Sequence, residues 1–113
     1  ITRSEMVPGI VVLARFWFTS GLNYKIRPAL IVSNSRFNQT HVYCLMVPFT
    51  TQTSLREYLI PIDGKDSVLV ERESYIRTDG LTPILKTNIV KHIGTLSPTK
   101  FRAVVNAIRD CIG

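Results

Sequence analysis

Residues that build metal centres and activated nucleophiles are scarce in this chain. His41 and His92 are its only histidines, and neither has a second histidine, a cysteine or a carboxylate at ligand spacing. The sequence also contains no glycine-rich phosphate loop and no serine in a nucleophile elbow. These absences predict a protein that works without a metal ion or cofactor. They leave open two histidines acting as general acid and base on RNA, or histidines with structural and surface roles.

Cysteine and long apolar runs are scarce as well. Cys44 and Cys111 lack the spacing of zinc ligands and are too few for a disulfide framework, so we expect buried thiols in a reducing cytoplasm. No apolar run approaches the roughly 20 residues that span a bilayer, and no signal peptide is recognisable. We therefore expect a cytoplasmic protein without membrane association.

Positive charge, by contrast, is in excess. Fourteen Lys and Arg against eight Asp and Glu give a net charge of +6, which favours a polyanionic partner such as nucleic acid. With 113 residues, of which 45% are hydrophobic, the chain has the size and composition of a single globular domain. We assign residues 1–6 to an N-terminal extension and residues 7–113 to this domain.

Short runs rich in β-branched and aromatic residues predict a mainly β protein. Between them we expect a polar connection at 33–41, a hairpin turn at 63–67, and a turn at Asp79–Gly80 with one helical turn after it. The runs predict strands at 8–18, 26–33, 42–49, 57–62, 68–71 and 89–94.

The C-terminal segment has the pattern of an amphipathic helix. Ser97 is a suitable N-cap, Pro98 suits the first helical position, and Gly113 follows the end. Five or six mostly antiparallel strands closed by this helix predict an α+β fold, a small and strongly bent sheet or half-barrel. The helix is expected to bury the apolar residues that recur at three- and four-residue spacing: Phe101, Val104, Val105, Ile108 and Ile112.

A polar cluster is the best candidate for chemistry. Arg27 stands before the apolar run of the second strand, and hydroxyl-rich and charged loops follow the third and fifth strands. Loops of a bent sheet can converge at one end, which would bring Arg27, Thr50 and Gln52 to one concavity with Arg77 at its flank. An arginine fork binds a phosphate bidentately, and a hydroxyl donates one further hydrogen bond. Such a site suits RNA, whose own 2′-OH is a nucleophile that needs only alignment and charge stabilisation.

The same residues also fit structural roles. Thr50 and Thr51 are ordinary turn residues, and Arg27 has Glu57 and Asp63 as candidate ion-pair partners. The residues alone leave both interpretations open.

Five motifs in this chain, in the same order, resemble those of the MazF/PemK (Kid) toxin family. The resemblance runs from Val7 to Gly113 and implies an SH3-like, CcdB/PemK-type half-barrel that forms a homodimer. It also implies a metal-independent endoribonuclease that cleaves single-stranded RNA, leaves a 2′,3′-cyclic phosphate and a 5′-OH, and is countered by a cognate antitoxin. The motifs are "PGIVVLARF", "RPALIVSN", "CLMVPFTTQT", "IRTDGL" and "IGTLS".

The resemblance implies catalytic residues too. The family's catalytic arginine and threonine fall on Arg27 and Thr50, and Glu73 is the candidate for a third catalytic group. We expect one of Trp17 and Phe18 to pack in the core or dimer interface and the other to be available for base stacking. Substrate-binding roles are expected for Lys25, Thr51, Gln52, Tyr75, Arg77 and Trp17.

Several positions depart from the family's pattern. Ile10 follows the first-strand glycine where an acidic residue is usual, and the loop before Arg27 lacks a carboxylate. Ser74 occupies the place of an Asp or Glu, with Glu73 one step away, and "RTID" has become "RTDG". A one-residue shift that brought Glu73 into place would turn its side chain to the other face. Two catalytic residues therefore carry over directly, and Glu73 is a candidate for the third only through its position next to Ser74.

Two other functions are compatible with such a fold. CcdB toxins share the half-barrel and poison gyrase through the end of the C-terminal helix, but the terminal "RDCIG" lacks their tryptophan. A non-catalytic nucleic-acid-binding barrel would bind RNA in a salt-dependent manner without turnover, and Ser74 favours this alternative.

Overall fold

The computed structural model describes residues 6–52, 56–62, 66–68 and 74–113, which form eight strands and two α-helices. Single 3₁₀ turns lie at Arg56–Tyr58 and Lys86–Asn88. The helices are α1 (Ser35–Thr40) and α2 (Pro98–Ile112). The strands are β1 (Ile10–Trp17), β2 (Tyr24–Ile31), β3 (Tyr43–Thr50), β4 (Leu59–Pro61), β5 (Ser67–Val68), β6 (Tyr75–Arg77), β7 (Thr82–Leu85) and β8 (Ile89–Thr95).

The described strands form one antiparallel sheet in the order β4-β6-β3-β2-β1-β8-β5, with β7 also paired to β3. The β1–β2 hairpin has an unbroken register from Val11↔Leu30 to Trp17↔Tyr24. The β1–β8 ladder shifts register twice, and such irregularities increase the local twist of a sheet. No pairing among these strands joins β4 to β5, so the sheet stays an open half-barrel.

Each face of the central strands buries its own apolar cluster. The first cluster joins the sheet to α2 and includes Val11, Leu30 and Val104. The second cluster lies on the opposite face and includes Val12 and Ile31. Because neighbouring residues of a strand point to opposite faces, membership of these two clusters shows which face each remaining residue of β1, β2 and β3 points to.

Helix α2 agrees with the sequence pattern at its start. The Ser97 hydroxyl accepts a hydrogen bond from the Lys100 N–H at 3.2 Å, and Pro98 is the first helical residue. Its last turn differs, because the residues from 109 onward are exposed. Ile112 is therefore not buried, and Cys111 is exposed rather than a buried thiol, whereas Cys44 is buried as expected. None of the described helices is long and apolar enough to cross a membrane.

The predicted fold class, a bent antiparallel sheet with a C-terminal helix, is confirmed, but the strand pairing differs in one region. The additional strands β6 and β7 are only three and four residues long. The predicted hairpin of the fourth and fifth strands is wrong in its described part, since β4 pairs with β6 and β5 pairs with β8. The pair Ile60↔Ile76 explains this choice, because it brings two apolar side chains of the first cluster together. Residues 63–65 of the predicted turn and 69–71 of the predicted strand lie outside the described residues.

The predicted polar connection at 33–41 contains α1. The Asn34 side chain caps this helix by accepting a hydrogen bond from the Phe37 N–H at 2.9 Å. The fully buried Asn38 donates from Nδ2 to the carbonyls of Met6 at 2.7 Å and Ser33 at 2.9 Å. Met6 is itself buried, so this residue belongs to the packed domain and not to the extension to which we assigned it.

Candidate active site

The sheet divides where β2 and β3 stop pairing, and the candidate site lies at this point. The two strands pair from Ile31↔Met46 to Ala29↔Pro48, and Pro48 has no N–H to donate to a continued ladder. The end of β3 pairs on its other side with β6, where Thr50 lies opposite Tyr75. Continuing the β2–β3 register by two residues puts Arg27 opposite Thr50. We call these three residues on adjacent strands the Arg27–Thr50–Tyr75 row.

All three members of the row point to the same face of the sheet. Ala29, two residues from Arg27, belongs to the second cluster, whereas Phe49 and Ile76 belong to the first. Because side chains alternate along a strand, Arg27 shares the face of Ala29, and Thr50 and Tyr75 lie on the face opposite to that of their neighbours Phe49 and Ile76. The row therefore lies at the edge of the face that carries the second cluster. Its three members are half-buried, which keeps them accessible to a ligand while limiting their hydration.

The turn after β3 orients the Thr50 hydroxyl. Its Oγ1 accepts a hydrogen bond from the Gln52 N–H at 3.1 Å, and both Thr51 and Gln52 are exposed. Since a hydroxyl has one donor and two acceptor positions, Thr50 can still donate its proton to an oxygen of a ligand. Thr50 is thus a turn residue and a candidate donor at once.

Arg27 is held on the sheet without a partner from the described part of the chain. It makes no hydrogen bond or ion pair there, and the ion pair with Glu57 that the sequence permits is not formed. Asp63, the other candidate partner, lies outside the described residues. Lys25 is exposed and lies two residues nearer the hairpin tip on the same face. Lys25 and Arg27 therefore place two positive charges at the β2 end of the row.

Arg77 lies two residues after Tyr75 on β6 and therefore shares the face of the row. Its Nε donates to Asp79 Oδ1 at 2.8 Å. Ser74, which occupies the family's carboxylate position, is buried. Glu73, the candidate third catalytic group, lies outside the described residues.

Trp17 lies on the face opposite the row. It pairs across the hairpin with Tyr24, and the two rings are 4.9 Å apart, tilted by 59°. Its Nε1 donates to Asn88 Oδ1 at 3.2 Å, and the Arg15 guanidinium lies 5.6 Å from the Tyr24 ring centre. The structure therefore does not bring Trp17 to the row. Trp17 and Phe18 are 50% and 52% exposed, so neither packs in the core of the single chain.

Tyr24 and Asn88, which contact Trp17, and Arg15, which lies over the Tyr24 ring, were not predicted from the sequence. Arg15, Tyr24 and Asn88 had no motif to single them out. For Arg15 and Tyr24 the available signal was their position in the hairpin, where Tyr24 faces Trp17 and Arg15 faces Ile26. Asn88 lies in the 3₁₀ turn before β8 and had no such signal. That signal becomes readable only once the register of the hairpin is known.

The two histidines have local partners outside the row. His41 stacks on Phe37, with ring centres 3.9 Å apart, and its Nδ1 lies 3.0 Å from the Phe37 carbonyl oxygen. His92 is exposed, and its Nε2 lies 2.7 Å from the Gly94 carbonyl oxygen. These contacts fit the structural and surface roles rather than an acid and base pair on one substrate.

Cys44 is a buried thiol apart from the row, six residues before Thr50 on β3. Burial raises the pKa of the Cys44 thiol, and the nearby Lys86 ammonium opposes part of this rise. A thiol whose neutral form is favoured is a poor nucleophile at neutral pH, so Cys44 is a packing residue.

Several solved structures share this fold, and their names describe MazF toxins or endoribonucleases. The MazE–MazF structure from Deinococcus radiodurans matches with a TM-score of 0.79 at 15% identity, over 95% of this chain and 95% of that chain. An endoribonuclease from mycobacterial species matches with a TM-score of 0.76 at 19% identity, over 95% of this chain and 90% of that chain. The Mycobacterium tuberculosis toxin MazF-mt6 matches with a TM-score of 0.73 at 19% identity, over 91% and 95%. At these identities the likeness establishes a shared fold.

The sequence itself identifies the family. No curated protein sequence matches the chain significantly. The family profile described as "PemK-like, MazF-like toxin of type II toxin-antitoxin system" matches residues 8–112. This match confirms the resemblance carried by the five motifs, and the chain belongs to the PemK-like, MazF-like toxins of type II toxin–antitoxin systems.

Proposed function

We propose that the chain is a metal-independent endoribonuclease toxin that cleaves single-stranded RNA. The Arg27–Thr50–Tyr75 row carries this proposal, because it combines a guanidinium that has no partner among the described residues with a hydroxyl donor on one accessible face. Related folds include proteins described as endoribonucleases, which supports the reaction class. The site supplies charge and alignment, and RNA supplies its own nucleophile.

The proposed reaction is an intramolecular transesterification. The 2′-oxygen attacks the adjacent phosphorus, a P–O2′ bond forms and the P–O5′ bond breaks. The 2′-hydroxyl loses its proton to a base, and the departing 5′-oxygen gains one. The products are a 2′,3′-cyclic phosphate and a 5′-OH, with no net consumption of water.

Each catalytic role follows from the chemistry of its side chain. Arg27 stabilises the extra negative charge on the pentacoordinate phosphorus and donates toward the leaving 5′-oxygen. Thr50 donates its hydroxyl proton in a hydrogen bond to a phosphoryl oxygen and so orients the phosphate. Glu73 is the carboxylate proposed to accept the 2′-OH proton.

The RNA on either side of the cleaved bond is proposed to follow the polar side chains around the row. Lys25 and Arg77 neutralise neighbouring phosphates, and Tyr75 offers an aromatic ring for a base. The exposed side chains of Thr51 and Gln52 provide hydrogen bonds to the substrate, and Trp17 is proposed to stack with RNA beyond the hairpin edge.

We also propose two protein partners and a compartment. The chain acts in the cytoplasm as a homodimer, in which two copies of the row engage one RNA strand. A cognate antitoxin neutralises it, and the +6 charge favours an acidic antitoxin segment over a neutral one. Structural relatives described as MazE–MazF and as an endoribonuclease with its cognate antitoxin support this partnership.

The reaction can be tested with a long single-stranded RNA, purified protein and excess EDTA. We expect discrete cuts whose 5′ fragments end in a cyclic phosphate. A second RNA with a single 2′-deoxy nucleotide at a mapped cut is the matched control. It should resist cleavage at that bond only. Cleavage of the 2′-deoxy bond, or a requirement for a metal ion, would contradict the mechanism.

One observation favours a second candidate function, a non-catalytic RNA-binding protein of the same fold. Ser74 is buried and is not the carboxylate that the family usually has there. This alternative predicts salt-dependent RNA binding without any fragments across a broad set of RNAs.

A further inference from the structure

The turn that follows β6 is held by hydrogen bonds at both ends. Thr78 donates to the Tyr58 carbonyl from its backbone N–H at 2.9 Å and from its hydroxyl at 2.8 Å. The Gly80 N–H donates to the Arg77 carbonyl at 3.1 Å, and the Gly80 carbonyl accepts from the Thr82 hydroxyl at 2.9 Å. With Thr78 also buried, the backbone on both sides of Asp79 has little freedom.

This turn is also packed directly against the strand that carries Thr50. A Cβ added to Gly80 would lie 3.0 Å from Pro48 Cδ and 3.1 Å from Pro48 Cγ. Any larger residue would place its Cβ in an unusually tight contact with the proline ring, and Pro48 is two residues before Thr50. The position of the turn relative to the row is therefore fixed by packing.

Asp79, in this turn, forms an ion pair with Arg77. Arg77 Nε and Asp79 Oδ1 are 2.8 Å apart, and the two side chains are 47% and 26% exposed. Arg77 has no other hydrogen bond within the described part of the chain, so its Nη donors are available for an outside acceptor. Arg77 is a diagonal neighbour of Thr50 across the β3–β6 ladder. Diagonal neighbours are about 7–8 Å apart, within reach of a long side chain.

We propose that Asp79 is a positioning residue, which holds Arg77 so that the Nη donors bind the RNA phosphate next to the one that is cleaved. The inference rests on the proposed function and deepens it, since it assigns the residue that orients part of the substrate. A guanidinium pre-oriented by one carboxylate loses less side-chain freedom when it binds a phosphate. Without this role, a carboxylate beside an RNA site would only repel the RNA.

Asp79→Asn tests the proposal through the sign of its effect on RNA binding. The probe is a single-stranded RNA with 2′-O-methyl groups throughout, which binds but cannot be cut, and Kd is measured by fluorescence anisotropy. The matched control is Asp110→Asn, which removes the same charge from an exposed position on α2. We expect Asp79→Asn to weaken binding by on the order of threefold to tenfold, because the charge-assisted hydrogen bond from Arg77 Nε becomes a weaker neutral one. Asp110→Asn should leave Kd unchanged or tighten binding. Equal tightening by both variants would overturn the proposal.

A double variant tests whether Asp79 acts through Arg77. Arg77→Ala should reduce the slope of log K against log salt by about 0.7, the value for one phosphate contact on a single strand. Arg102→Ala, which removes an exposed charge from α2, should leave the slope unchanged. Adding Asp79→Asn to Arg77→Ala should cause no further weakening. Further weakening would show that Asp79 acts by another route and would overturn the proposal. Arg77→Lys serves as the second variant if Arg77→Ala does not fold.

Kinetics separate this inference from the proposed function. With cleavable RNA, Asp79→Asn should raise KM by the same factor as Kd and leave kcat unchanged, since no reacting atom is touched. A selective loss of kcat would contradict a positioning role. If the wild-type chain binds RNA without cutting it, the proposed function fails while the binding comparison still decides the inference. If it binds no RNA, both fail.

Discussion

Arg27 is half-buried on the sheet, and its guanidinium has no partner within the described part of the chain. Partial burial of an unpaired charge opposes folding, because the lost hydration is not replaced. An anion from outside the chain would replace it. Thr50 is prepared differently, since Gln52 already occupies one acceptor position of its hydroxyl and leaves the proton free to be donated. At the residue scale the site thus combines the positive charge of Arg27 with the hydroxyl donor of Thr50, and both groups can bind a phosphate.

Thr50→Ala should lower the single-turnover rate of RNA cleavage by about 10²-fold, at the lower end of the range for one charge-stabilising donor. Thr50→Ser keeps the hydroxyl and should retain most of the activity. The comparison requires cut sites mapped with the wild type and a rate measured at one of them. Equal losses in both variants would mean that the methyl group, and not the hydroxyl, is required.

Cys44 gives the fold a pH dependence in the alkaline range. Burial raises its pKa above the ordinary value of 9.0, so above that pH the unfolded chain loses the thiol proton while the folded chain keeps it. The contribution of Cys44 to stability is complete below pH 9.0 and is lost as the pH rises through the folded pKa. The wild type should therefore lose up to about 1.4 kcal/mol per pH unit from this one group.

Urea unfolding of Cys44→Ala and the wild type between pH 7 and 10.5 measures the contribution of Cys44 to the free energy of unfolding. The difference between their free energies of unfolding should shrink above pH 9.0. Cys111→Ala removes the exposed thiol and is the matched control, with a curve parallel to the wild type. A constant difference between Cys44→Ala and the wild type would contradict the assignment.

At the scale of elements, the site depends on where strands stop pairing. The row draws one residue from each of β2, β3 and β6, and the last of these is only three residues long. Strands β1 to β3 and helix α2 were predictable because their apolar patterns are long and regular. The pairing partners of β4 and β5 were not predictable, because the pairing of a short strand depends on which side chains become buried together in the folded chain, as in the pair Ile60↔Ile76. Helix α1 was missed because its stability depends on the buried Asn38, a polar residue.

The same reasoning explains which site residues could be predicted. Arg27, Thr50 and Tyr75 were identified by motifs. The pair Thr50↔Tyr75 is observed, Arg27 joins them when the β2–β3 register is continued by two residues, and their roles stay predictions. The face occupied by Trp17 could not be predicted, because it depends on the register of the hairpin. A one-residue change in that register would reverse the face of every side chain on one strand.

Ser97→Ala should destabilise the protein by about 1 kcal/mol, because the N-cap hydrogen bond to the Lys100 N–H is lost. Ser97→Asn restores a capping side chain and is the matched control, expected within a few tenths of a kcal/mol of the wild type. Urea denaturation at neutral pH measures both. If the two variants were equally destabilised, the cap would not be the cause.

At the scale of the whole molecule, charge and exposed apolar surface suggest what the chain binds. Its net charge is +6, and large apolar side chains such as Leu22, Val42 and Ile112 are at least 70% exposed. Positive charge attracts RNA or an acidic antitoxin, whereas exposed apolar side chains gain by burial against another protein surface. The single chain accordingly has separate features for its two kinds of proposed partner.

Sedimentation equilibrium of the purified chain tests the proposed homodimer. The expected mass is twice the 12.8 kDa of the single chain, and it should persist at high salt because apolar contacts are not screened. A mass of one chain across the micromolar range would contradict the dimer. That outcome would leave the site within each chain untouched.

The most direct test of the central claim, that the Arg27–Thr50–Tyr75 row cleaves RNA, is a comparison of Arg27→Ala with the wild type. Both are incubated with the same single-stranded RNA in EDTA, and Arg102→Ala controls for the loss of one positive charge. The account predicts discrete cuts by the wild type and Arg102→Ala, and a rate roughly 10²–10³ lower in Arg27→Ala. Cuts by Arg27→Ala at the same bonds and the same rate would contradict it, and the site would have to lie elsewhere on the chain.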